Sequence, residues 1–270
     1  MKPILVLGLS VFFMLTVTEK LCSQNVIKTL LRSDRLQQDR ALAIHLPSTY
    51  DSTRQYSVVY VLDGLSQSEH IARKFDSLSS AGVVPPTIVV GIPNMSAENR
   101  LRQLIPPYMK VDHEKPDSPA GEADTFLAFM ESELFPFMEK TYSASDVRLF
   151  AGNSRGGLLV IHSLVYKPEM FRARFCFSTP FWRESNIIVS KVLGLLSSKD
   201  SLTGFLYMSA GEQETDNIKN GLTAMATVLK KKAPSDLVWY AEYTPDADHQ
   251  TNAKTSASSA ITKWGTHLKE

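Results

Sequence analysis

Gly152-Asn153-Ser154-Arg155-Gly156-Gly157 is the segment whose residue types and spacing point most directly to chemistry. It is a G-x-S-x-G pattern between the apolar run Val147–Ala151 and the stretch Leu158–Val165, which reads as a buried helix. A strand that turns at once into a helix forces the middle residue into a strained conformation. Glycines two positions to either side let the neighbouring backbone pass without a side-chain clash. The Ser154 hydroxyl is then presented at a strand tip, and the helix N-terminus behind it favours developing negative charge. The chemistry to expect is nucleophilic attack on a carbonyl.

A serine is a poor nucleophile at neutral pH without a base, so a histidine must reach it. The chain has six. His45 lies inside a strand pattern and His162 on the helix after the serine, where packing roles are usual. His113 falls in a proline-rich loop and His267 in a terminal helix. His70 follows the Asp63-Gly64 turn closely and stays open as a substrate contact. His249, in the polar loop Pro245–Gln250 between the last strand and the last helix, is the expected base under a Ser–acid–His chain order. The acid should follow the strand Phe205–Ala210, where Glu212, Glu214 and Asp216 are available. Any of the three could hold the imidazole tautomer; we assign Glu214, with Glu212 and Asp216 as alternates. An oxyanion hole needs two backbone N–H groups, one from Arg155 and one from the loop after an early strand, which nominates Leu65. Asp63 at that turn is a candidate substrate contact, and as a turn carboxylate it is also expected to bond loop backbone groups.

Elements must position these residues. Ala41–Leu46, Ser57–Leu62, Thr87–Ile92, Val147–Ala151, Arg174–Ser178, Phe205–Ala210 and Leu237–Tyr243 read as strands. Helices are expected from Thr125 onward, over Leu158–Val165, Ile218–Lys231 and Ala253–Leu268. In the first of these, Phe126, Phe129, Met130, Leu134, Phe137 and Met138 form one apolar stripe. Residues 98–122, with four prolines, read as a long loop. Strands alternating with helices imply a mostly parallel sheet covered on both faces, with the chemistry at the carboxyl ends of its strands.

Composition sets outer bounds. At 270 residues with 43% hydrophobic and 21% charged residues, one large α/β domain is expected, and disordered or collagenous classes are excluded. Basic and acidic residues number 29 and 28 without a long single-sign run, so neither nucleic acid nor a polybasic membrane contact is expected as a partner. Lys2, the uncharged stretch Ile4–Val17 and Ser23 before Gln24 read as a cleaved export signal over residues 1–23, followed by one domain over 24–270. Its removal takes away Lys2, Glu19 and Lys20 and leaves a mature chain of zero net charge with no membrane span, periplasmic or secreted. Of two cysteines, Cys22 lies in the signal, and Cys176 reads as a buried, inert thiol. Neither HExxH, paired CxxC nor a P-loop occurs, so no metal or organic cofactor is expected.

The chain resembles the esterase family of the α/β-hydrolase superfamily, which includes esterase D, siderophore (enterochelin-type), feruloyl and acetyl-xylan esterases and the mycolyltransferases. The likeness runs from about Ser33 to Lys263. It is carried by Tyr60–Leu65 (YVLDGL), Val89–Asn94 (VVGIPN) with Arg100, Phe126–Tyr142, Gly152–Gly157, Ser178–Trp182 (STPFW), Gly211–Glu214 and His249. It implies an α/β-hydrolase fold, a Ser154–Glu214–His249 triad and an oxyanion hole at the Leu65 and Arg155 amides. It also places Trp182 beside the acyl or alcohol pocket. Asn153 stands where the family usually has histidine, and Gln250 where a small residue is frequent. The function implied is ester hydrolysis through an acyl-enzyme, on a siderophore, an acylated carbohydrate or a simple acyl ester. The alternatives are an acyltransferase of the same fold and a non-catalytic glycan- or siderophore-binding module.

Overall fold

The structure is a computed structural model that describes residues 26–269; the expected export signal lies outside the described residues. Eight strands form one sheet: β1 (Val26–Ser33), β2 (Gln38–His45), β3 (Tyr56–Leu62), β4 (Thr87–Ile92), β5 (Ala144–Asn153), β6 (Ala173–Phe177), β7 (Gly204–Gly211) and β8 (Leu237–Thr244). Their spatial order is β1-β2-β4-β3-β5-β6-β7-β8. The β1–β2 and β2–β4 pairs are antiparallel and every later pair is parallel. This is the α/β-hydrolase fold expected from the alternating pattern, and its parallel strands aim their carboxyl ends at one edge.

Alternation along β3 shows how the sheet divides the core. Val58, Tyr60 and Leu62 join one apolar cluster, while Val59 and Val61 join the other. The second cluster is closed by α1 (Leu65–Ser80) and α8 (Asn252–His267), through Phe75 and Trp264. The first is closed by α3 (Ala123–Phe129), α4 (Phe135–Tyr142), α5 (Arg155–Tyr166), α6 (Arg183–Ser198) and α7 (Asp216–Lys232). Strands buried on both faces read as near-continuous apolar runs, and all residues of β4, β6 and β7 are buried, including Arg174 of β6, whose guanidinium bonds the Ser163 hydroxyl and the Phe171 and Pro168 carbonyls.

The structure departs from the sequence expectation at several elements, among them helices α1 and α6, neither of which was expected. Strand β1 was not expected; its burial alternates weakly, Leu30 is 65% exposed, and it pairs only with β2 at the sheet edge. A π turn at Met130–Leu134 separates α3 from α4. Pro136 lacks an N–H for the bond to the fourth residue before it, and the wider turn absorbs the missing bond. The phase shift turns Phe135 into the core, whereas Phe137 of the expected stripe is only half-buried. Residues 98–122 are not a plain loop. A helix α2 (Ala97–Gln103) opens the segment, Leu104, Ile105, Met109 and Val111 are buried, and Lys110 bridges Ala120. His162 on α5 ties this excursion down, its ring bonded to the Tyr108 hydroxyl at 3.0 Å and to Asp124 Oδ1 at 2.6 Å.

Candidate active site

Ser154 occupies the single residue between β5 and α5, at φ 55° and ψ −120°. A left-handed φ is costly for a residue with a Cβ, and it persists only where the surroundings enforce it. Gly152 is part of that enforcement: a Cβ there would lie 2.4 Å from the Gly156 carbonyl carbon. The first turn of α5 therefore packs directly on the end of β5, and the serine has nowhere to go but outward.

His249 comes from the loop between β8 and α8. Asp248 shapes that loop, its Oδ1 accepting from the Gln250 amide at 3.0 Å, the Thr251 amide at 2.9 Å and the Thr251 hydroxyl at 2.7 Å. The ring is thereby placed with Nε2 at 3.0 Å from Ser154 Oγ and Nδ1 at 2.7 Å from Glu214 Oε2. Of the three carboxylates after β7, Glu214 is the one that meets the imidazole. The Gln213 amide bonds the Ala247 carbonyl at 2.9 Å, which locks the acid's loop to the base's loop.

The Glu214 side chain has no exposed surface. Burial would raise its pKa, but hydrogen bonds from His249, the Ser178 hydroxyl and the Gly211 amide outweigh this, and it is held below the usual carboxylate range. Ser178 Oγ donates to Oε1 at 2.5 Å and the Gly211 amide at 3.0 Å. Asn252 Nδ2, on fully buried Asn252, donates in turn to Ser178 Oγ at 2.9 Å. Ser178 and Asn252 were not singled out from sequence, because a serine after a strand and an asparagine at a helix start carry no spacing signal.

Leu65 and Arg155 are the first residues of α1 and α5, so their amides are among those that helix geometry leaves without an intrahelical acceptor. The turn before Leu65 carries Asp63 at φ 66° and Gly64 at φ 89°. Among the described residues Asp63 bonds side chains, not the loop backbone expected of it. Its Oδ1 accepts from Asn94 Nδ2 at 2.7 Å and Arg100 Nε at 2.5 Å, and its Oδ2 from Arg100 Nη2 at 2.8 Å. Both oxygens are held by side chains, so a substrate contact through this carboxylate would compete with a bidentate guanidinium.

A cleft of about 320 Å³ opens at Ser154 and His249, and its lining includes Arg155, Trp182, Arg183 and His113. Trp182 meets His113 edge to face, ring centroids 5.1 Å apart. His113 thus reaches the cleft from the proline-rich excursion, which its sequence position alone did not reveal. The other histidines lie elsewhere. Buried His45 bonds Ser68, and His70 bonds Gln67 with its pKa lowered by burial to about 4. Cys176 is fully buried, which pushes its thiol pKa far up. Among the described residues no group of three His, Cys, Asp or Glu side chains gathers as a metal cage would.

Comparison with known proteins gives a consistent result. The family model described as "Putative esterase" matches residues 33–268. Over 188 residues the chain is 29% identical to the ferri-bacillibactin esterase BesA of Bacillus subtilis (strain 168), covering 63% of this chain and 64% of that protein. It is 30% identical over 187 residues to a siderophore enterobactin esterase of Emericella nidulans, covering 60% of each. These curated relatives are thus spanned over somewhat less than two thirds of their length. Among solved structures, an IroE-like serine hydrolase from Shewanella oneidensis superposes with a TM-score of 0.81 at 28% identity, covering 90% of this chain and 80% of that one. The chain belongs to the esterase family of the α/β-hydrolase superfamily.

Proposed function

We propose that the protein is a serine carboxylic-ester hydrolase in which Ser154 is the nucleophile, His249 the general base and Glu214 the acid that orients it. The observation that carries this reading is the unbroken chain Ser154 Oγ–His249 Nε2 at 3.0 Å and His249 Nδ1–Glu214 Oε2 at 2.7 Å. With Nδ1 protonated and bonded to Glu214, Nε2 is free to take the Ser154 proton as Oγ attacks the ester carbonyl. The developing oxyanion is received by the Leu65 and Arg155 amides. His249 then passes its proton to the departing alcohol, and an acyl–Ser154 ester remains. Water, deprotonated by His249, adds to that ester, and Ser154 leaves with its proton restored. Every step moves protons between Ser154, His249 and the reactants, and Glu214 stays ionised throughout.

For substrate, the siderophore esters named for the Bacillus and Emericella relatives are the class we assign, with Trp182 and His113 forming an aromatic wall beside the scissile bond. The sequence of residues 1–23 supports export of the mature enzyme. Hydrolysis of a tri-ester siderophore, followed by chromatography, tests the reading. The wild type should release the hydroxy-acid monomer, and Ser154→Ala should lose about 10³-fold or more of kcat. Equal rates in the two proteins would refute the assignment.

A further inference from the structure

Arg155 stands where helix electrostatics argue against it. It is the first residue of α5, whose first turn holds no acidic side chain, and a cation at a helix N-terminus is repelled by the macrodipole. Its side chain lines the cleft beside Ser154 and makes no hydrogen bond to any described residue, and its buried Nε lacks an acceptor. Arg183, only 2% exposed, lines the same wall. Its Nη2 donates to the Lys110 and Val111 carbonyls, but its Nε is buried without an acceptor, as is Trp182 Nε1. Buried donors are nearly always satisfied, so this wall is rich in donors and short of acceptors.

The surrounding charges do not correct the shortage. Burial, then repulsion from Arg100, lowers the Arg155 pKa, and burial, then repulsion from Arg155, lowers that of Arg183. Both guanidinium groups remain protonated even so. The carboxylates within their field are engaged elsewhere. Asp63 is held by Arg100 and Asn94, Asp112 receives the Glu114 amide and pairs with Lys115, and Glu184 accepts from the Lys110 amide.

We propose that Arg155, supported by Arg183, is a specificity residue that selects esters carrying an anionic oxygen group within reach of the scissile carbonyl. This rests on the hydrolase reading of the same cleft and narrows its substrates by charge. The bound anion supplies the acceptors that the wall lacks, and the positive field raises the local concentration of negatively charged esters.

The test compares kcat/KM within matched pairs of esters. One pair places the anion on the acyl side, para-nitrophenyl hemisuccinate against para-nitrophenyl butyrate. The other places it on the alcohol side, para-acetoxybenzoate against its methyl ester. The wild type should prefer the anionic member of at least one pair by about tenfold. That ratio should collapse towards one in Arg155→Gln, shrink with added potassium chloride, and largely survive in Arg155→Lys. Because each ratio is read within one preparation, partial misfolding of a variant cancels. Hydrolysis of the neutral esters with no anionic preference, or a preference unchanged in Arg155→Gln, would overturn the proposal alone. No hydrolysis of any of the four esters would overturn the hydrolase reading with it.

Discussion

A carboxylate without exposed surface, as at Glu214, stays ionised only through its donors, and that makes its removal measurable in two ways. Glu214→Gln keeps the shape but offers an amide N–H or a weaker acceptor to His249 Nδ1, which favours the wrong tautomer. We expect kcat to fall by about 10⁴-fold with little change in KM, by steady-state kinetics on an aryl ester. The second consequence concerns pH. The folded pKa of Glu214 is depressed below the ordinary 4.5. Its contribution to stability is therefore complete above 4.5 and is lost as pH falls through the lower folded value. The Tm gap between wild type and Glu214→Gln should narrow as pH falls below 4.5; a gap that does not change on acidification would show that the carboxylate is not held as described. The contact of Ser154 with His249 and of His249 with Glu214 was legible in the sequence from chain order and turn context, although Glu212 and Asp216 stood as alternates to Glu214. Ser178 and Asn252 were not, because a second layer of hydrogen bonds is a property of three-dimensional proximity with no fixed spacing.

At the scale of elements, the β5–α5 turn and the two loops facing it decide whether those residues meet. Adding one methyl group at Gly152→Ala places an atom 2.4 Å from the Gly156 carbonyl carbon, which backbone on both sides cannot yield to without opening the turn. Denaturant unfolding should show a loss of about 1–3 kcal/mol, and ester hydrolysis should fall with it. The Asp63–Arg100 pair performs a similar task for the loop that carries Leu65. Arg100→Ala should lower kcat by roughly tenfold while KM moves little, since the amide it steadies is the one proposed to receive the oxyanion. Strands β3 to β7 were legible because buried parallel strands demand continuous apolar runs, whereas antiparallel β2 and the half-buried edge strand β8 were read from their β-rich composition. The edge strand β1 was not, since an edge needs only half of that pattern. The π turn also escaped notice, because the apolar spacing from Phe126 to Met138 fits a plain α-helix and only Pro136 hints at the interruption. The 98–122 segment misled for a related reason: prolines mark its turns, while Leu104, Ile105, Met109 and Val111 bury themselves without any period.

For the molecule as a whole, one sheet of eight strands among the described residues brings loops after β3, β5, β7 and β8 to the same edge, so residues as far apart as Ser154 and His249 meet. The balance of 29 basic and 28 acidic residues across the chain makes the local surplus around Arg155 and Arg183 a feature of the cleft rather than of the surface at large. The proposed export makes a prediction at this scale too. N-terminal sequencing of the protein recovered outside the cytoplasm should begin at Gln24, and a start at Met1 would contradict cleavage. Whether the Ser154 hydroxyl is a base-activated nucleophile is read by labelling with a fluorophosphonate followed by peptide mass spectrometry. The wild type should carry one phosphonyl group, on the peptide containing Ser154, and labelling should slow sharply in His249→Ala. A protein that resists the reagent, or that carries the group on another serine, would contradict it.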